Sequence, residues 1–351
     1  MKVPTPNAQI HKRDFGAFTL VELLVSMVVL MLLVVVMGSM LTMTTKTWRS
    51  TRGKIEQFRQ ARDAFESLTR RISQSTLNTY WDYLDASGAA RTPSNSGNFT
   101  ATRYARQSEL RFISGPGLAG TATSTPPRPT HSIFFLAPLG IASDSGYTDL
   151  QTLLNTWGYF IEYSDDKLHP TFLTPPVKNR FRLVELMLPS ESMTIYSHTS
   201  GNATYSGKEW FTDALTATTP PVHVVAENVI ALVLLPKLTP EEDPTGALLS
   251  PTYLYDSTVS KSTAAINPKN QLPPVVMMTM VAIDETSAKR LSDTDNANLQ
   301  SQLGGLFSDA TRYSADLATL EAYLVSKRIN YRTFTSNISI KGAKWSREQT
   351  N

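Results

Sequence analysis

Apolar residues dominate the chain from Phe15 to Thr45, where Glu22 is the only ionisable side chain. Phe18–Met43 exceeds the roughly 20 helical residues that cross a bilayer core, so the segment predicts a membrane helix or a signal peptide that is removed. The signal-peptide reading fits less well: the charged leader is long, a carboxylate sits early in the apolar run, and the best small-residue exit is Val36-Met37-Gly38. The pattern then changes period without a break. Trp48, Ile55, Phe58, Ala61, Phe65, Leu68 and Ile72 recur every three or four residues (or seven), with Arg59, Arg62, Asp63, Glu66, Arg70 and Arg71 between them. That is one apolar face of an amphipathic helix. No proline interrupts the chain between Pro6 and Pro93, so a single helix is expected from about Phe18 to about Thr76. The alternative is a membrane anchor followed by a separate coiled coil.

Beyond residue 78 the helical period gives way to short β-type runs. Strands are expected at Ser132–Leu136, Tyr159–Tyr163, Phe181–Leu188, Val222–Leu235 (with a bend near Glu227-Asn228) and Val275–Ile283, with Phe334, Ser336, Ile338 and Ile340 alternating in a closing strand. Ser87–Thr130 is rich in Ser, Thr, Gly and Pro and reads as loop, broken by a short strand near Glu109–Ile113; Pro236–Pro274 reads as a long insertion. Helical pieces are expected in Asp284–Leu306, and a helix over Ser314–Lys327 with Ser314 as N-cap and Leu317, Leu320 and Leu324 on one face. The fold class is α+β, a mostly antiparallel sheet against the N-terminal helix.

Glu22 is the anomaly in the apolar run. A carboxylate within a membrane helix costs about 2.5–3.5 kcal/mol on insertion scales and is read first as functional; the plainer reading has it reaching water at the interface. The segment Lys12-Arg13-Asp14-Phe15-Gly16-Ala17-Phe18-Thr19-Leu20-Val21-Glu22 resembles the class III signal of type IV prepilins and pseudopilins. The resemblance implies a leader over residues 1–17, cut at the membrane face by a prepilin peptidase, with N-methylation of the new first residue. Ala17 stands between Gly16 and Phe18, where the family pattern has Gly directly before Phe. Cutting after Ala17 makes Phe18 first and Glu22 fifth, the family spacing; cutting after Gly16 makes Glu22 sixth. The resemblance further implies that Glu22 serves assembly, a neighbouring subunit's carboxylate neutralising the N-terminal ammonium. It divides the chain into a membrane part (18–43), its amphipathic continuation (44–78) and a pilin-like head (79–351), with partners in the peptidase, other pilin-like subunits and membrane lipid. Lys46, Arg49, Arg52 and Lys54 outnumber Lys12 and Arg13, so charge counting alone favours the reverse orientation, a rule that weakens when a long domain follows the helix.

Segments of the body, among them Phe134–Gly140, Ala226–Leu232, Leu272–Val276, Met280–Glu285 and Ala343–Ser346, resemble the Verru_Chthon cassette protein C family; the Ala-Glu-Asn-Val strand followed by a Pro-Val strand also resembles the J-type minor pseudopilins.

Composition removes other classes. The 351 residues contain no cysteine, which excludes disulfides, thiolate metal sites and a cysteine nucleophile. Lys+Arg 33 against Asp+Glu 30 leaves +3, without the concentrated basic footprint of a nucleic-acid binder. His11, His131, His169, His198 and His223 show no metal-ligand spacing and read as surface or strand residues. No nucleophile elbow or phosphate loop occurs, so no enzyme is expected. Asp293-Thr294-Asp295-Asn296 begins like a calcium loop but lacks its glycine and terminal glutamate; no cofactor is expected, with calcium a weak candidate there. The expectation is a structural subunit, a minor pilin or pseudopilin of a type II secretion or type IV pilus-like filament. The alternative is an exported adhesin or binding module with ligand affinity in the loops at 87–130 and 236–271.

Overall fold

One helix, α1 (Leu20–Ser73), carries the apolar run and continues through the amphipathic stripe. The computed structural model describes residues 19–147, 149–165, 178–196, 207–260 and 266–346. The chain forms two compact units, Met1–Lys54 and Ile55–Asn351.

In the first unit α1 is rich in Val, a poor helix former in water because its χ1 freedom is lost against the preceding turn. Hydrocarbon reverses that preference, since only a helix satisfies every backbone group within the segment. The hydroxyls obey the same constraint. Ser26 donates to the Leu23 carbonyl at 2.9 Å, Thr42 to Gly38 at 2.9 Å, Thr45 to Leu41 at 2.6 Å and Thr47 to Met43 at 2.9 Å. Leu20–Trp48 is a 29-residue apolar span whose most apolar 18-residue window has mean hydropathy 3.0, none of that window buried against protein.

In the second unit Ala61, Ala64, Phe65, Leu68 and Ile72 of α1 are buried and Phe58 is partly buried. Trp48, expected among the head-packing residues, is 68% exposed. It lies at the far end of the apolar span, where an indole suits a membrane–water interface. The side chain of Ile55 lies outside the described residues.

Among the described residues three antiparallel sheets follow. β1 (Tyr80–Leu84) pairs with β2 (Arg103–Gln107). A six-stranded sheet has the order β7-β6-β5-β4-β3-β9: β3 (Ile113–Pro116), β4 (His131–Pro138), β5 (Leu154–Ser164), β6 (Arg180–Leu188), β7 (Val222–Glu227) and β9 (Tyr255–Asp256). A three-stranded sheet has the order β11-β10-β8, from β8 (Val229–Lys237), β10 (Val275–Ile283) and β11 (Tyr331–Ser339). The run Val222–Leu235 thus supplies two strands in two sheets. Asn228 makes the break at φ 59, a left-handed conformation that asparagine tolerates.

The six-stranded sheet is covered on both faces. Ile133, Phe135, Trp157, Tyr159 and Leu183 share the main core with α1, β8 and β10. Phe134, Leu136, Phe160, Val184 and Leu186 pack against α2 (Glu209–Thr216), whose Phe211 stacks on Phe134 with ring centroids 3.9 Å apart. Burial on both faces explains why β4 reads as a continuous apolar run rather than an alternation. The packing is close at Gly158 of β5, where an added Cβ would lie 2.2 Å from Phe134 Cδ1. Gly158→Ala is expected to destabilise the head by about 1–3 kcal/mol in urea denaturation, whereas Gly97→Ala, with open space around it, leaves the midpoint unchanged.

Three expectations need correction. The segment Ser87–Thr130 contains β2 in addition to the short strand expected near Glu109–Ile113, which is β3 and begins at Ile113, and β1 precedes the segment unannounced. Pro236–Pro274, expected as a long insertion, also contributes to the core: Leu238, Leu249, Tyr253, Tyr255 and Leu272 are buried, and the Asp243 carboxylate closes the loop by accepting from Gly246 and Leu248 amides at 2.7 Å. Ser314 lies inside α5 (Tyr313–Ser326) and does not cap it. The helix is entered through a 3-10 turn at Ala310–Arg312 whose cap is Asp309, accepting from Thr311 N at 2.9 Å. The helical pieces before it are α3 (Glu285–Arg290) and α4 (Asp293–Gly305).

Candidate assembly site at the start of the apolar helix

The first turn of α1 holds the one carboxylate of the span. Thr19 precedes the helix, and its amide and hydroxyl both donate to Glu22 Oε2, at 3.0 and 2.9 Å; the Glu22 amide donates back to Thr19 Oγ1 at 3.3 Å. This is a reciprocal capping box. It satisfies two of the amides a helix start leaves without intrahelical partners and places negative charge at the positive end of the helix dipole. The Thr-x-x-Glu signal stands in the sequence but is overshadowed there by the processing motif. Around this turn the surface is apolar and open: Leu20 is 79% and Leu23 55% exposed. The carboxylate is therefore fixed in position on a helix flank that no protein covers. Gly16, Ala17 and Phe18 lie outside the described residues.

Residues 12–38 match the family model described as the prokaryotic N-terminal methylation motif. The N-terminus is that of a type IV pilin-like precursor. No curated protein and no solved structure matches the chain. The motif implies processing by a prepilin peptidase and assembly with other pilins. Together with the one helix among the described residues that is long and apolar enough to cross a membrane, it is consistent with a membrane-anchored, single-pass pilin-like protein whose head is exported.

Within the head, the end of α1 is locked to the six-stranded sheet by charge as well as by apolar contact. Arg71 Nη1 donates to Glu185 Oε2 and, at 3.0 Å, to the Tyr159 hydroxyl, and its guanidinium lies 4.4 Å from the Trp157 ring. Burial pushes the Tyr159 phenol well above its ordinary range, so it stays protonated beside the pair. A second polar joint sits where β7 turns into β8. Arg180 of β6 reaches Glu285 at 2.7 Å and Glu227 at 3.1 Å, and Asn228 Nδ2 donates to Glu285 at 2.9 Å. Burial alone would raise the Glu285 carboxyl; Lys289, Asn228 and Arg180 together hold it down at about 2.

His131 is a third joint that sequence reasoning missed. It is a strand residue, but 1% exposed rather than at the surface. Its Nδ1 accepts from the Leu234 amide of β8 at 3.0 Å, which fixes the tautomer, so that Nε2 donates to the Phe307 carbonyl at 2.8 Å. Phe307 adopts φ 58, and its amide donates to Asp316 of α5 at 2.9 Å. One imidazole thus links both larger sheets to the turn before the C-terminal helix. Burial lowers its pKa to about 4 against the backbone bonds that would raise it.

The acidic segment Asp293-Thr294-Asp295-Asn296 is the first turn of α4. Asp295 forms a capping box with Ser292 and bonds Lys327 Nζ at 3.1 Å. Among the described residues no three His, Asp or Glu side chains come together as a metal site would need. His223 lies exposed on β7, and His11, His169 and His198 lie outside the described residues.

Proposed function

We propose that this pilin-like precursor is a minor pilin or pseudopilin, a non-enzymatic subunit of a type II secretion or type IV pilus-like filament. The peptidase cuts between Ala17 and Phe18, Phe18 is N-methylated, and the helix stays in the membrane until its subunit is drawn into the filament. An ammonium on Phe18 and a carboxylate on Glu22 are each costly in hydrocarbon. When the Glu22 carboxylate of one subunit meets the Phe18 ammonium of the next, both penalties fall together and the axial stagger of the helices is set. The match of residues 12–38 to the methylation motif, with Glu22 fixed on an open apolar helix, carries this reading. The extensive loops and a head of more than 270 residues suit a minor or tip-proximal subunit better than a densely repeated one. The body segments that resemble the Verru_Chthon cassette protein C family fit the same prepilin-like class.

Co-purification from solubilised membranes tests the role. The processed chain is expected to bring down other pilin-like subunits, and a chain whose leader is made uncleavable by Phe18→Pro is expected to bring down few. Recovery of the processed chain alone, under conditions that preserve other filament subunits, contradicts the proposal.

A further inference from the structure

The hairpin of β1 and β2 carries an aromatic strip on its outer face. Register places Tyr83 opposite Tyr104 and Trp81 opposite Arg106. Trp81 stacks on Tyr104 with centroids 5.4 Å apart, and Tyr104 meets Tyr83 at 5.1 Å. These rings remain 47%, 57% and 56% exposed for Trp81, Tyr83 and Tyr104. The hairpin does not owe its place to them alone. Leu84 on the other face is buried, Asn270 Nδ2 donates to the Arg106 carbonyl at 2.7 Å, and Arg106 Nη1 donates to the Lys344 carbonyl at 2.7 Å. The aromatic face is thus held outward on a hairpin anchored by Leu84 on its other face, by Asn270 at the β2 backbone and by Arg106 beside the rings.

We propose that this strip binds the amino-sugar glycan of the bacterial cell wall. Half-exposed aromatics of about 150–250 Å² each leave roughly 300 Å² of ring surface open. A stable protein interface needs about 800 Å² from each partner, so the strip is too small to hold a protein by itself but matches a few sugar rings. Aromatic faces carry a negative quadrupole that attracts the polarised C–H groups on the flat side of a pyranose. The phenol and indole edges are left to bond hydroxyl and N-acetyl groups. The charge on this face of the hairpin is the Arg106 guanidinium, 5.6 Å from the Trp81 ring, which complements the carboxylates that wall glycan bears. A head exported from the inner membrane on a single helix meets that polymer first. The inference rests on export of the head and not on its place in a filament, so the two fail separately.

The test uses the full processed chain in detergent, sedimented with purified peptidoglycan sacculi, and titrated calorimetrically with the N-acetylglucosamine hexamer. Wild type is expected to pellet with sacculi and to bind the hexamer. Trp81→Ala/Tyr104→Ala is expected to lower affinity for both by about tenfold or more. Trp81→Phe, which keeps a ring, retains most of it, as does Tyr147→Ala, which removes a 46%-exposed ring elsewhere. Melting midpoints of all variants identify any that misfold. No binding by wild type, or equal binding by a folded double variant, overturns the proposal. So does a double variant that still pellets with sacculi but no longer co-purifies with pilin-like subunits, which would make the strip a protein contact.

Discussion

Replacing Glu22 by alanine is expected to leave the chain in the membrane and remove it from assemblies. Insertion depends on the apolar span, which loses nothing. Assembly loses the only carboxylate within Leu20–Trp48, and a neighbour's ammonium is left buried and unpaired. Truncating one partner of a buried, hydrogen-bonded charge pair costs about 2–5 kcal/mol. That corresponds to a loss of at least about 30-fold in co-purified subunits. The capping box complicates the alanine result, because its loss frays the helix start by about 0.5–2 kcal/mol. Glu22→Gln separates the two effects: its amide oxygen still accepts from Thr19, but it carries no charge. Glutamine is expected to fail in assembly nearly as badly as alanine. Thr19→Val, which removes the hydroxyl bonds and keeps the carboxylate, is expected to assemble with only a modest deficit. Assembly of the glutamine variant at wild-type level would mean that the cap, not the charge, is what the filament uses.

The second large effect concerns acid. His131 titrates near 6.5 when unfolded and at about 4 in the folded head. Above 6.5 neither state binds the proton and stability is complete. As pH falls below 6.5 the unfolded chain gains the proton first, and stability drops until the folded imidazole titrates near 4. The whole loss is about 3 kcal/mol. The geometry gives the cause: a proton on Nδ1 turns the acceptor of the Leu234 amide into a second donor facing it. Urea midpoints of the full chain between pH 7 and pH 4 are expected to fall along this course. His131→Asn is expected to be less stable at pH 7 and to show a much flatter profile between pH 6.5 and 4. The same steep profile in the variant would assign the acid sensitivity to other groups.

The N-terminal part of this molecule was legible because its information is linear. Phe18 to Glu22 is a local code, and the span is set by a run of side chains that needs no tertiary partner to be read. β10 was also plain, a β-branched and Met-rich run bounded by Pro274 and Asp284. The bend in Val222–Leu235 was visible at Asn228, although not that the two halves enter different sheets, which depends on where β6 and β10 lie. Other features were hidden for physical reasons. α2 is eight residues long, and its Trp210, Phe211 and Leu215 become a face only against Phe134 of β4. β1 carries aromatics on both sides, so its alternation marks no buried face. The His131 joint connects residues 103 and 176 positions apart and relies on a left-handed Phe307 that no residue preference announces.

The measurement that bears most directly on the account is the mass of the N-terminal peptide from the membrane-extracted chain, produced with and without an active prepilin peptidase. The account predicts a mature chain that begins at Phe18 and carries one methyl group on its amine, and a precursor that begins at Met1 when the peptidase is absent. A chain that begins at Met1 in both samples, or one cut near Gly38, would contradict it.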